Sequence, residues 1–304
     1  MPAVTRSFRN SAILGVTTFA TLALATACKQ PDAAPSAASA SPLVAAPDEA
    51  LLKANDPVTV AVLRGRALLN STEDSLPKND PSMLRCTSCH LNDGRRAFGI
   101  PWVGSSVRYP QYRARSGKID QLADRINDCF ERALNGRAID PAGKEMNDII
   151  AYITWLSKDV AAPGTIRGQG IDSLPALVPD TAAGATLYQA KCIRCHAPTG
   201  GGTPGPRLFR GSDSTIASPL WGPKSFNIGA GMARRRTAAS FIHSQMPLEA
   251  PGSLTAQEAT NIAGYVEAKP RPDFAGKARD YPKGGAPPDV AYQTQNTKKP
   301  AAKH

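Results

Sequence analysis

Three observations predict an all-α protein built as two small domains in tandem. The motif Cys-x-x-Cys-His occurs twice, as Cys86-Thr87-Ser88-Cys89-His90 and as Cys192-Ile193-Arg194-Cys195-His196, once in each half of the chain. A related segment precedes each copy: Gly65-Arg66-Ala67-Leu68-Leu69 before the first, Gly184-Ala185-Thr186-Leu187-Tyr188 before the second. An apolar helical period closes each half, and few strands are apparent. Met146, Ile149, Ile150, Ile153 and Leu156 carry that period in the first half. Leu254, Ile262, Ala263 and Val266 carry it less cleanly in the second. Thr255 and Glu258 have capping-box spacing at the start of this last helix.

The motif spacing is that of covalent haem attachment, so two haem c groups are expected. Cys86 and Cys89, and again Cys192 and Cys195, would bond the vinyl groups. His90 and His196 would ligate the two irons. Half of a zinc site has the same local spacing, but no further Cys/His cluster completes a tetrahedron. A helix leading into the motif, loops around a ring and a closing helix together resemble class I cytochrome c domains. The boundaries read as residues 56–160 for the first domain, 161–178 for a Pro/Gly-containing linker and 179–269 for the second. Trp102, Trp155 and Trp221 read as core or haem-edge packing.

The ends of the chain are different in kind. Residues 1–27 read as a signal peptide: Arg6 and Arg9, an uncharged apolar run, then Ala25-Thr26-Ala27. Cys28 follows at once and is expected to carry lipid, although the same tripeptide also reads as an ordinary cleavage site. Residues 28–55, rich in Ala, Pro and Ser, form a tether. The protein is thus expected on the periplasmic side of a bacterial membrane, held by the lipid anchor only. Residues 270–304 form a Pro/Lys-rich tail that cannot make a core alone but can lie over one. The net charge of +11 suits an anionic substrate or an acidic redox partner. An exported chain without a nucleic-acid motif gives no nucleic-acid reading.

The sixth iron ligands decide the chemistry. In the second domain, Met246 lies in Phe241-Ile242-His243-Ser244-Gln245-Met246-Pro247, which resembles the distal segment of many class I cytochromes c. Met232 is the alternative, and His243 reads as a surface or loop histidine. A His/Met haem has a raised potential and suits electron transfer. The first domain has no Met-Pro segment in that place. It has Cys129, between Arg125 and Arg132. Cys129 could be a buried packing residue, with Met146 on the iron. Cationic neighbours, however, favour a thiolate.

Taken together, Cys86 to Leu91, Pro101 to Gly104, Pro110 to Arg115, Cys129 to Gly136 and Gly222 to Gly231 resemble the dihaem thiosulfate dehydrogenases. The resemblance implies a first haem with His90 and Cys129 as axial ligands, at which two thiosulfates join into tetrathionate. It implies that Arg115 and Arg125 hold substrate. It implies a second haem with His196 and Met246 that passes electrons to a soluble or membrane-bound acceptor such as another cytochrome c. Some members of that family run the reaction in reverse. Ala133 stands where the family often has Ser, which removes a hydroxyl at the substrate. Two thiosulfate dianions about 5 Å apart repel by roughly 13 kcal/mol at an effective dielectric near 20, so fixed arginine charge is what such a site needs. Two rival readings share most of these features. One is a dihaem electron carrier without catalysis, and the other is an oxidoreductase acting on another sulfur anion.

Overall fold

The computed structural model describes residues 52, 55–161, 166–202 and 217–294. All of them belong to one unit spanning 34–304. The signal-peptide and Cys28 expectations lie outside the described residues, as do most of the tether and residues 295–304. Among the described residues the main helices are α1 Pro57–Asn70, α2 Leu122–Arg132, α3 Lys144–Leu156, α4 Thr181–Lys191, α5 Arg235–Gln245 and α6 Ala256–Glu267. A two-stranded antiparallel ribbon, β1 Gln111–Arg113 and β2 Lys118–Asp120, pairs Gln111 with Asp120. The sequence gives no sign of it, because three-residue strands are too short to show alternation.

Local chemistry starts the helices where they start. Asp56 accepts from the Thr59 N–H at 2.8 Å, and Pro57 fills the first turn of α1. Asp180 accepts from the Ala182 and Ala183 N–H groups to begin α4. The expected capping box begins α6, with Thr255 N–H on Glu258 at 2.8 Å and Glu258 N–H on the Thr255 hydroxyl at 3.2 Å.

Each half is a crossed helix pair, and the repeated glycine is the crossing point. α1 packs on α3, and α4 packs on α6. A Cβ at Gly65 would sit 1.9 Å from the Asp148 carbonyl oxygen, and one at Gly184 would sit 2.0 Å from that of Asn261. Glycine therefore lets the backbones touch. The apolar face expected on α3 is buried at Met146, Ile149, Ile153 and Leu156. Tyr152, one turn before Leu156, is also fully buried.

The two halves share a core. Phe226, Ala230 and Ala233 from the second half join a cluster formed by Val62, Phe130, Met146 and Ile149 of the first. A smaller cluster, with Tyr188, Leu254, Ile262 and Val266, belongs to the second half alone. The linker lies against the first half, where Gly168 and Gly170 carbonyls accept from Phe98 and Ile100 N–H groups. The tail does lie over a core: Phe274, Asp280, Tyr281 and Thr294 are buried.

Replacing Gly65 or Gly184 by Val should lower the stability of the holoprotein by about 1–3 kcal/mol or more, because the helices must part. Thermal unfolding followed at the haem absorption checks this.

Candidate functional site

The two Cys-x-x-Cys-His segments are held by the same devices. After His90 the chain turns through Asn92, Asp93 and Gly94, with φ of 53°, 56° and 71°. Only glycine fits at the third of these, since a Cβ there would lie 1.9 Å from the Trp102 ring. Trp102 stacks on His90 at 4.8 Å between centroids. The Tyr152 hydroxyl donates to the Asp93 carbonyl at 3.0 Å. In the second half Gly200, at φ 66°, lies under Trp221 in the same way. There the Tyr188 hydroxyl donates to the Ala197 carbonyl at 2.8 Å. Both tryptophans thus pack beside the motifs, as expected, while Trp155 lies against Tyr152 and under Arg95.

Both histidines are prepared as ligands. The His90 Nδ1 donates to the Ile100 carbonyl at 2.5 Å, and the His196 Nδ1 to the Ser218 carbonyl at 3.0 Å. Each bond fixes the tautomer and leaves the Nε2 lone pair for a metal. Burial pulls His90 down to about 4, with the Arg125 charge acting in the same direction. Burial likewise lowers His196. Neutral imidazoles beside cysteines that form no disulfide are the donor set that haem c requires, so the residues fit that group. Among the described residues no group of three or more His, Cys, Asp or Glu side chains is arranged to hold a bare metal ion.

α2 brings Cys129 to the first motif. Burial pushes the Cys86 and Cys89 thiols up to about 12, and the nearby Cys129 sulfur pushes both the same way. Arg125, one turn earlier on α2, donates from Nη1 to the Cys129 sulfur at 2.7 Å. The Cys129 charge in turn is the main reason that Arg125 is held above its ordinary value. The Arg125 side chain keeps 36% exposure, so it can meet a ligand as well as the sulfur. Arg115 is placed differently: its Nη1 donates to the Gly229 carbonyl at 2.8 Å and its Nε to the Tyr281 hydroxyl at 3.2 Å. Ala133 follows Cys129 by one turn and donates its N–H to the Cys129 carbonyl. Met146, the alternative ligand, is fully buried in the α3 core.

Several residues that organise this site escaped the sequence reading. Asp128 faces Arg113 at 3.4 Å and Arg125 at 3.8 Å, and accepts a short hydrogen bond from the Arg132 Nε. Burial raises its carboxyl, but Arg132, Arg125 and Arg115 together hold it below the usual range. Arg132 is chelated by Asp280 from the tail, at 2.8 Å to each oxygen. Asn227 closes the end of α2, donating to the Glu131 carbonyl at 2.8 Å and to the Asn135 side chain at 3.0 Å. The i,i+4 spacing of Asp128 and Arg132 was visible in the sequence. The partners from residues 227 and 280 were not, because nothing local announces contacts 92 to 148 residues away.

In the second half Met246 directly follows α5 and is half-buried. Met232 packs against the core of the first half instead. His243 lies within α5 and is half-buried, so its reading as a surface or loop residue is corrected. The helical period continues through it.

A family model described as the SoxA/TsdA cytochrome c domain matches residues 77–161. One described as cytochrome c oxidase, cbb3-type, subunit III matches residues 179–266. The fold and the motifs therefore define a tandem pair of cytochrome c domains, which bind haem c. The chain is 43% identical over 255 residues to the thiosulfate dehydrogenase of Psychrobacter arcticus, covering 83% of this chain and 76% of that one. It is 42% identical over 219 residues to that of Allochromatium vinosum, covering 70% and 79%. The solved thiosulfate dehydrogenase TsdBA from Marichromatium purpuratum matches with a TM-score of 0.69 at 33% identity, covering 76% of this chain. This chain spans 50% of the length of that one. The protein belongs to the thiosulfate dehydrogenase family, a family of oxidoreductases.

Asn227→Ala should destabilise the holoprotein by about 1–3 kcal/mol, since it removes two hydrogen bonds to partly buried acceptors at the end of α2. Denaturant unfolding of the two proteins side by side measures the difference.

Proposed function

We propose that the protein oxidises two thiosulfates to tetrathionate at the first haem and passes the electrons out through the second. The observation that carries this reading is the 2.7 Å contact from Arg125 to the Cys129 sulfur, beside the first haem motif. An electron carrier has no need of a cysteine sulfur held by an arginine. In this reading two haems are attached covalently, at Cys86 and Cys89 and at Cys192 and Cys195. His90 and Cys129 ligate the first iron, and His196 and Met246 the second. The packing of Met232 against the first half supports Met246 in that role.

When bound, the haems supply two one-electron acceptors in series. The rest falls to the chain. Arg125, with Arg115 nearby, binds the thiosulfate anions and offsets their repulsion; each charge-assisted hydrogen bond contributes about 1.5–3 kcal/mol. The Cys129 thiolate, after leaving the iron it would ligate at rest, forms a sulfur–sulfur bond with the outer sulfur of one thiosulfate, and two electrons leave for the bound acceptors. The second thiosulfate attacks that same outer sulfur. Tetrathionate departs, and the Cys129 thiolate is the leaving group. The cysteine ends as it began, and the net reaction releases two electrons.

We also propose that the chain is exported, with residues 1–27 removed and Cys28 lipidated, so that the two haem domains work on the periplasmic side of a bacterial membrane. The acceptor is then a soluble or membrane-bound redox protein such as another cytochrome c. Cys28→Ala should move the protein from the membrane fraction to the soluble exported fraction. An intact mass with an unmodified Cys28 would contradict the anchor.

The direct test is an anaerobic assay of the holoprotein with thiosulfate and a ferric acceptor, run beside tetrathionate with a reduced donor. Cys129→Gly should abolish thiosulfate oxidation and keep both haems. Arg125→Ala should lower kcat/KM by about tenfold or more, as the loss of one charge-assisted bond implies. Full activity in Cys129→Gly would leave the electron-carrier reading in place. Met246→Gly should lower the potential of the second haem and leave that of the first unchanged, as potentiometric titration would show.

A further inference from the structure

The chain beyond the second cytochrome domain returns to the first, and Asp280 and Tyr281 lie among the charges around Cys129. Arg113, Arg115, Arg125 and Arg132 gather there around Asp120 and Asp128. The returning segment adds a third carboxylate. Asp280 is 3% exposed and chelates Arg132 through both oxygens at 2.8 Å. It also accepts a short hydrogen bond from the Tyr292 hydroxyl. The Phe274 ring covers the same guanidinium at 4.1 Å. The next residue, Tyr281, accepts from Arg115 Nε at 3.2 Å and donates its N–H to the Arg115 carbonyl at 2.9 Å.

We propose that Asp280 and Tyr281 are positioning residues for the sulfur-anion site: Asp280 takes up both Nη atoms of Arg132, and Tyr281 fixes Arg115, so that Asp128 remains shared with Arg125 and Arg125 remains on the Cys129 sulfur. The inference rests on Cys129 and the arginines forming that site. Arg132 is almost fully buried and must be neutralised. Its Nε already engages Asp128. Without Asp280, its two Nη atoms compete for the same carboxylate and draw it from Arg113 and Arg125. Arg125 then loses the acid that orients it, and its donation to the sulfur is no longer fixed. The tail thereby acts on an anion it does not touch. A plain clasp between domains would need apolar burial only. Here the buried groups are a carboxylate and a phenol aimed at two arginines of the site.

The test uses the full-length holoprotein. Asp280→Asn keeps the size of the side chain and removes its charge; Tyr281→Phe removes one hydroxyl and leaves the ring. Both should keep two haems. The KM for thiosulfate should rise by about tenfold in Asp280→Asn and by about threefold in Tyr281→Phe, with kcat changed by less than about twofold, because binding is lost and not chemistry. The ferric electron paramagnetic resonance signal of the first haem should shift in Asp280→Asn, as the Cys129 sulfur loses a fixed donor. A lowered melting temperature with KM and resonance signal unchanged in both variants would make the tail a structural clasp only and overturn the proposal. If the wild-type protein does not turn over thiosulfate, the functional reading fails. The resonance comparison then still decides whether the tail positions Arg125.

Discussion

Arg125 donates to the Cys129 sulfur across 2.7 Å, and much of the first domain is arranged so that this contact is possible. A thiolate in a partly buried place needs a fixed cation. A cation in such a place needs its own neutralising partners. α2 meets both demands over two turns, with Arg125, Asp128, Cys129 and Arg132 at helical spacing. Of the acids on α2, Asp124 pairs with Lys118 and Glu131 is exposed, so Asp128 alone faces both Arg125 and Arg132. The remaining negative charge comes from Asp120 on β2, through Arg113, and from Asp280 far along the chain.

That requirement ties the two halves together. The segment from Gly222 to Ala233 does more than lead into α5. Asn227 closes α2, the Gly229 carbonyl accepts from Arg115, and Phe226, Ala230 and Ala233 complete the first-domain core. Gln245, just before Met246, donates to the Ala97 carbonyl close to the first motif. The residue preceding the proposed ligand in the second half is therefore hydrogen-bonded to the loop that follows the first Cys-x-x-Cys-His motif. In the proposed function, electrons cross this same seam, and a rigid seam keeps the distance between donor and acceptor constant.

The sequence was informative wherever the signal was local. The haem motifs, the capping box at Thr255, the helical period on α3 and the repeated segment before each motif were read from local patterns, and the structure adds that the glycine opening each repeat is a helix crossing. Cys129 stood out because its neighbours were charged. Asp280, Tyr281 and Asn227 could not be found that way. Their partners are about 90 to 170 residues away, and a lone Asp or Asn in a proline-rich stretch has no period to reveal it. His243 was misplaced for a related reason: α5 is short, with small and polar residues, so its helical pattern is weak.

The claim at the centre of this account is that the Cys129 sulfur sits on the first haem as a thiolate ligand steadied by Arg125. Low-temperature electron paramagnetic resonance of the oxidised holoprotein tests it most directly. The account predicts two low-spin ferric signals, one with the narrow g-spread of thiolate ligation, and predicts that this one disappears in Cys129→Gly while the other is unchanged. A wild-type spectrum without a thiolate-type signal, or one that Cys129→Gly leaves intact, would contradict it.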